Sequence, residues 1–198
     1  MVKKTNNIFF SKGKVNYNDR CKLLKQRGIV LWLTGLSGSG KSTIAIELEK
    51  KLIELNKISY RLDGDNIRTG LNSDLGFSKQ DRDENIRRIA EICTLFKDAG
   101  IITLVSFISP FKKMREYAKN KVGKNNFYEI YVKADLETCK TRDTKGLYEK
   151  AKKNEIENFT GITSKYEEPE NPDLILDTTL LTVDEAVKKI IESINFDY

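Results

Sequence analysis

The chain has 198 residues, of which 39% are hydrophobic and 32% charged, and its formal net charge is +6. That is enough length for one globular domain with a buried core; no apolar run approaches the ~20 residues that span a bilayer, and the N-terminus lacks the apolar stretch of a secretory signal. Histidine is absent, which excludes Ser-His and Cys-His nucleophilic pairs, His-ligated zinc and imidazole bases.

Eight Lys and Arg but one acid, Asp19, fall in residues 1–27, so the excess charge belongs to this segment and the remainder is close to neutral. Residues 1–27 are therefore expected to be a basic leader, a solvated and partly mobile arm, and residues 28–198 the domain. A cytoplasmic location is the expectation, with organellar targeting by the leader left open. A near-neutral body without a basic stripe does not suit nucleic acid, nor does the composition suit a membrane. Cys21, Cys93 and Cys139 are too far apart for a disulfide framework or metal cluster.

Short apolar runs predict strands over Ile29–Leu33, Ile58–Leu62, Ile101–Phe107, Phe127–Val132 and Leu174–Leu176, alternating with amphipathic stretches. This is the pattern of an α/β fold, a parallel sheet flanked by helices. Helices are predicted over Lys41–Leu55, from Ser78 to Ala99 with Gly100 as the stop, over about 110–121 beginning at Pro110, and after Thr182, where Thr182 and Glu185 form a capping box. Residues 143–172 are polar and carry Gly146, Gly161, Pro169 and Pro172, with a short helical piece near Tyr148–Lys153. So long an irregular stretch in a compact domain reads as a mobile lid.

Gly35-Leu-Ser-Gly-Ser-Gly40-Lys41-Ser42 follows a predicted strand and opens a predicted helix, the context that the phosphate-loop pattern requires. Glycines let backbone N–H groups converge on an anion, and the helix start adds positive potential. Gly35, Ser37, Gly38, Ser39, Gly40, Lys41, Ser42 and Thr43 are the candidate ATP-binding residues; Lys41 reaches the β- and γ-phosphates and Ser42 binds Mg²⁺. The loop by itself implies ATP or GTP binding and no particular reaction.

Asp63-Gly-Asp65-Asn66 ends the next predicted strand, where ligands of open α/β sheets bind. Asp63 can hold Mg²⁺ through water and Asp65 can accept a hydroxyl proton, although such a tetrapeptide alone also reads as an Asx-rich turn. Arg68, Arg82, Arg87 and Arg88 lie within twenty-one positions, with Phe77 and Asn85 among them. Guanidinium forks suit phosphate and sulfate oxygens; a solvated helix face is the alternative for the arginines, and core packing for Phe77.

At residues 28–178 the chain resembles the adenylylsulfate kinase family. The resemblance rests on Trp-Leu-Thr-Gly-Leu-Ser-Gly-Ser-Gly-Lys-Ser-Thr (32–43), Asp-Gly-Asp-Asn-Ile-Arg (63–68) and Gly-Leu-Asn-Ser-Asp-Leu-Gly-Phe-Ser (70–78). It continues through Asp-Arg-Asp-Glu-Asn-Ile-Arg-Arg (81–88), Ser-Phe-Ile-Ser-Pro (106–110), Lys-Gly-Leu-Tyr (145–148) and Phe-Thr-Gly-Ile (159–162). It implies a P-loop NTPase fold of the nucleoside-monophosphate-kinase type and transfer of the ATP γ-phosphate to the 3′-hydroxyl of adenylylsulfate. Asp65, Asn66, Arg68, Arg82 and Asn85 are then implied to hold the acceptor's ribose, phosphate and sulfate. Phe77 and Phe159 would stack on its adenine, with Ile108 and Ser109 lining the pocket and Lys145 belonging to the lid. Ser109 also matches a serine described in the family as a phosphoserine intermediate, a step that direct transfer does not need. ATP and Mg²⁺ are the implied cofactors, and a homodimer is the candidate assembly. Thr69, Thr144 and Lys153-Asn154 depart from the family pattern, in ways that touch the lid more than the chemistry. The runner-up is another small-molecule P-loop kinase, acting on a nucleotide, gluconate or shikimate.

Overall fold

The computed structural model describes Phe9 and residues 11–198. Five parallel strands form one sheet: β1 (Val30–Thr34), β2 (Ser59–Asp63), β3 (Ile102–Ser106), β4 (Phe127–Lys133) and β5 (Leu174–Asp177), in the order β2-β3-β1-β4-β5. Every residue of β1 and β3 is buried, because β1 is central and both faces are covered.

Side chains alternate across a strand, so each strand feeds two cores. Ile29, Leu31 and Leu33 pack with Leu48 and Leu52 of α2 (Lys41–Glu54) and Ile190 of α8 (Val183–Ser193). Val30 and Trp32 pack on the other face, with Ile86 and Ile89 of α4 (Lys79–Asp98) and Met114 of α5 (Lys112–Val122). Trp32 is wholly buried, its ring 5.6 Å from that of Phe127 and 6.3 Å from that of Phe107.

Helix starts follow the local hydrogen-bonding chemistry. Ser78 and Asp81 cap α4 reciprocally, as do Thr182 and Glu185 for α8. Strand and helix boundaries lie within one or two residues of those expected. The third helix begins at Lys112 and not at Pro110, because its first amide is capped from outside by the Glu167 carboxylate, Lys112 N donating to Oε2 at 2.8 Å.

Three short helices were absent from the sequence reading: α1 (Tyr17–Leu24), α3 (Gly64–Arg68) and α6 (Leu136–Thr141). The first lies in the basic segment and corrects the picture of a solvated arm through residue 27. Asn16 and Asp19 make a capping box, Cys21 is fully buried, and the Gln26 side chain donates to the carbonyls of Ile58 and Gly100, both at 2.8 Å. Residues 1–8 and Phe10 of the expected leader, including Lys3 and Lys4, lie outside the described residues.

The segment read as a lid is packed down. Its helix α7 (Leu147–Lys152) supplies Tyr148 and Ala151 to a third apolar cluster with Cys139 and Phe159, against which Leu36 of the glycine-rich loop packs. No helix among the described residues is long and apolar enough to cross a membrane.

Candidate active site

The glycine-rich loop joins β1 to α2 at the carboxyl edge of the sheet. Gly38 has φ +77, and a Cβ there would lie 2.6 Å from the Cys139 carbonyl oxygen; Gly40, the residue before α2, has φ +96. Both conformations are disfavoured for residues with a side chain. Unlike α4 and α8, α2 receives no side-chain cap, so its leading N–H groups remain available to an anion.

Lys41 is the first residue of α2 and is buried, its ammonium donating to the carbonyls of Gly35 (3.0 Å) and Leu36 (2.6 Å). Burial pulls its pKa down to about 8, against the opposing charges of Cys139, Asp63 and Asp65. The cation is thus desolvated and held beside the loop, where phosphate oxygens would stabilise its charged form.

Register pairing sets Asp63 of β2 beside Ser106 of β3. The Asp63 Oδ2 atom accepts from Ser42 (2.6 Å) and Ser106 (3.0 Å), with Arg61 Nη1 at 3.4 Å, and Oδ1 accepts from the Asp65 amide at 3.1 Å. Burial raises this carboxyl, but the hydrogen bonds and the Arg61 charge outweigh it and hold the pKa below the ordinary carboxylate range. Ser42, Asp63 and Ser106 make an all-oxygen cluster, a donor set that suits Mg²⁺ carried mainly by a nucleotide. Among the described residues there is no group of three His, Cys, Asp or Glu that could hold a metal alone. Ser106 was missed as a site residue, although its place at the end of an apolar run was a signal.

Asp65 and Asn66, in the first turn of α3, are exposed. Lys145 of the lid donates to Asp65 Oδ2, and this bond holds the lysine above its ordinary pKa.

Of the other predicted acceptor residues, Arg68, Phe77 and Arg82 lie together, and Arg82 reaches either side of Phe159. Arg68 lies over the exposed Phe77 ring, 4.4 Å from its centroid, and donates to the carbonyls of Leu75 and Gly76. Arg82 donates to the Phe77 and Asn158 carbonyls and to Thr160 Oγ1, straddling Phe159. Burial, and then the charge of Arg68, pull the Arg82 pKa down; two desolvated guanidiniums side by side favour a bound anion. Phe159 is nearly buried and meets Tyr148 edge-to-face at 5.0 Å. Asn85 is buried, its Oδ1 accepting from Asn72. Ile108 is half-buried, and Ser109, at φ +39, is buried with its hydroxyl accepting from the Trp32 indole at 3.0 Å. Arg87 and Arg88 turn away into ion pairs with Glu84, Arg88 also with Asp74, as the solvated-face alternative anticipated.

On the opposite side of the loop is a cleft of about 330 Å³ lined by Gly40, Thr43, Arg142, Thr178 and Leu181. Thr178 Oγ1 donates to the Ser39 carbonyl (3.0 Å), and Arg142 donates to Thr178 Oγ1 (3.0 Å) and to its carbonyl (2.9 Å). Neither residue was a sequence candidate, because 36 positions separate them. A planar cation beside the phosphate loop suits the face of a nucleotide base. The lid meets the loop too, Tyr148 Oη donating to the Ser37 carbonyl at 2.8 Å.

Known proteins resemble this chain over most of its length. Residues 27–177 match the family model described as adenylylsulphate kinase. An adenylyl-sulfate kinase of Clostridium kluyveri is 53% identical over 189 residues, covering 96% of this chain and 94% of the relative. One from Bacteroides fragilis is 56% identical over 174 residues, covering 88% and 86%. The Mycobacterium tuberculosis APS kinase CysC, solved in complex with AMPPNP and APS, superposes with a TM-score of 0.81 at 46% identity, covering 84% of this chain and 97% of that one.

Proposed function

The chain belongs to the adenylylsulfate kinase family, and from that premise we propose that it transfers the γ-phosphate of ATP to the 3′-hydroxyl of adenylylsulfate, giving ADP and 3′-phosphoadenylylsulfate. The observation that carries this reading is the pairing of a phosphate loop with a second, arginine- and phenylalanine-lined wall across the Asp63–Asp65 turn. A sugar-acid acceptor would have little use for Phe77 and Phe159, whereas an adenine ring would stack on them.

Transfer of a phosphoryl group needs positioning and charge neutralisation more than covalent help. The loop amides from Gly35 to Thr43 and Lys41 grip the triphosphate, while the Arg142–Thr178 cleft takes the base. Magnesium, when bound with the nucleotide, neutralises charge on the phosphate oxygens; Ser42 would hold it directly and Asp63 through water. Asp65 orients the acceptor hydroxyl and accepts its proton as the oxygen attacks the γ-phosphorus, whose bond to the β,γ-bridging oxygen breaks with ADP as the leaving group. Arg68, Arg82, Asn66 and Asn85 hold the acceptor's phosphate, sulfate and ribose, and Ile108 and Ser109 line its pocket. Ser109 serves there as wall and not as nucleophile, since its hydroxyl is buried against Trp32. Lys145 and Tyr148 close the lid and exclude water, which suppresses hydrolysis of ATP.

We further propose a cytoplasmic location and a homodimer, with small-molecule substrates and no nucleic-acid or membrane partner. An ADP-release assay over a panel of adenylylsulfate, AMP, gluconate and shikimate, with the product identified by mass spectrometry, tests it. Adenylylsulfate-dependent turnover yielding the 3′-phosphorylated compound is expected. Tight ATP binding with no phosphorylation of adenylylsulfate would overturn the reading.

A further inference from the structure

Beneath the acceptor wall lies a buried arginine that the reaction scheme leaves without a task. Arg115 of α5 is 2% exposed, and its fork reaches three different parts of the molecule. Nε donates to Glu129 Oε1 of β4 at 2.6 Å, Nη1 to the Ser109 carbonyl at 2.9 Å, and Nη2 to the Glu167 carbonyl at 2.8 Å. Residues 108–110 form the turn after β3, whereas Tyr166 and Glu167 lie in the returning stretch of the 143–172 lid segment, between α7 and β5.

The bonds around Arg115 form a set. Three consecutive carbonyls of the turn are each held by a different donor: Ile108 by Thr34 Oγ1 (2.7 Å), Ser109 by Arg115, and Pro110 by the Glu167 amide (2.8 Å). Thr34 spends its proton on Ile108, so the Tyr166 hydroxyl, 2.9 Å away, is the donor to Thr34. The Glu167 carboxylate caps α5 at Lys112. The turn itself holds Ser109 at φ +39, a conformation that a serine keeps only where its surroundings over-determine it. A Lys ammonium could not make the same three bonds, since it lacks the planar fork.

We propose that Arg115 is a positioning residue that ties the lid's return at 166–167 to the 108–110 turn, so that seating of the lid and shaping of the acceptor pocket are one event. It touches neither substrate; it acts through Ser109 and Ile108. This rests on the reading of those two residues as acceptor-pocket lining given above.

The test is the split between the two Michaelis constants in the Arg115→Lys enzyme, which keeps a cation opposite Glu129. The KM for adenylylsulfate should rise about tenfold, the effect of one lost charge-assisted hydrogen bond, with the KM for ATP within about twofold of wild type. A general loss of packing would move both constants. Should Arg115→Lys fail to fold, Tyr166→Phe decides, as it removes one hydroxyl of the same set and no charge. It should raise the adenylylsulfate KM about threefold, again with ATP unaffected. An unchanged adenylylsulfate constant in a folded variant, or parallel shifts in both constants, overturns the positioning role while the wild-type activity stands. A wild-type enzyme that leaves adenylylsulfate untouched sinks the functional reading and this role together.

Discussion

Lys145 and Asp65, eighty positions apart, are joined by a hydrogen-bonded ion pair that spans from the lid to the turn after β2. The lid residue thus sits on the carboxylate assigned to the acceptor's proton. Both side chains are more than half exposed, so the pair adds at most ~1 kcal/mol to stability. In the proposed mechanism it places a cation beside the reacting oxygens. Lys145→Ala should leave the melting temperature nearly unchanged and lower kcat on the order of 10²-fold. Asp65→Asn, which keeps the shape and removes the base, should cost 10²-fold or more. Steady-state kinetics beside thermal denaturation check both, and a near-normal kcat in either variant would remove that residue from the chemistry.

Lys41 should give nucleotide binding a pH dependence. Its pKa in the free protein is about 8 because burial penalises the ammonium. Phosphate oxygens favour the ammonium, so binding raises this value. Well below pH 8 the lysine is protonated before and after binding, and no proton is exchanged. Above pH 8 the free enzyme has lost the proton and must regain it, so uptake climbs toward one proton and ATP affinity falls with rising pH. Calorimetric titration of ATP at pH 7 and 9, in buffers of different ionisation enthalpy, measures this. Equal uptake at both values would show that Lys41 does not titrate there.

From Asn16 onward the basic N-terminal segment is docked on the domain. Gln26 is fully buried; its amide group donates to the Ile58 and Gly100 carbonyls, and its Oε1 accepts from the Ile58 amide at 2.7 Å. Gln26→Ala strands the Ile58 amide and the Gly100 carbonyl, at about 1–3 kcal/mol for each buried group left unpaired, while the Ile58 carbonyl keeps its bond from the Ile102 amide. A loss of ~2–4 kcal/mol, or a fall in Tm of roughly 5–10 °C, is expected. Deleting residues 1–15, by contrast, should leave both Tm and turnover close to wild type, whereas deleting 1–27 should destabilise the protein. Differential scanning calorimetry of the three variants separates an arm from a docked element.

What was legible in the chain divides along the same line, between local and distant causes. The phosphate loop could be read because Gly38 and Gly40 meet a local backbone demand, and the Ser78 and Thr182 caps because the cap and its partner lie three residues apart. Asp63 and Asp65 could be placed because a strand end is a local event. Arg115 could not, as Lys-Lys-Met-Arg-Glu reads like a solvated helix face until Glu129 and Glu167 are brought against it. Ser106 became a partner of Asp63 only through strand register. The helix α1 carries its Asn16–Asp19 capping box, but with Cys21 as its one buried residue it shows no apolar stripe, and its docking depends on distant partners.

Arg142 offers the means of separating the two halves of the site. It is fixed by two bonds to Thr178, which in turn holds the Ser39 carbonyl of the phosphate loop, so the cleft beside Gly40 and Thr43 is rigidly joined to the phosphate cradle. If the base of ATP stacks on this guanidinium, Arg142→Ala removes a cation–π contact of about 1–2 kcal/mol and should raise the KM for ATP about five- to thirtyfold. The KM for adenylylsulfate should stay within about twofold, because the acceptor wall of Arg68, Phe77 and Arg82 lies across the Asp65 turn. Thr178→Val serves as a control for indirect effects, since it keeps the guanidinium but loses its tether, and should fall between wild type and Arg142→Ala. If Arg142→Ala raised the acceptor constant and left the ATP constant alone, the donor and acceptor sides would have been assigned the wrong way round.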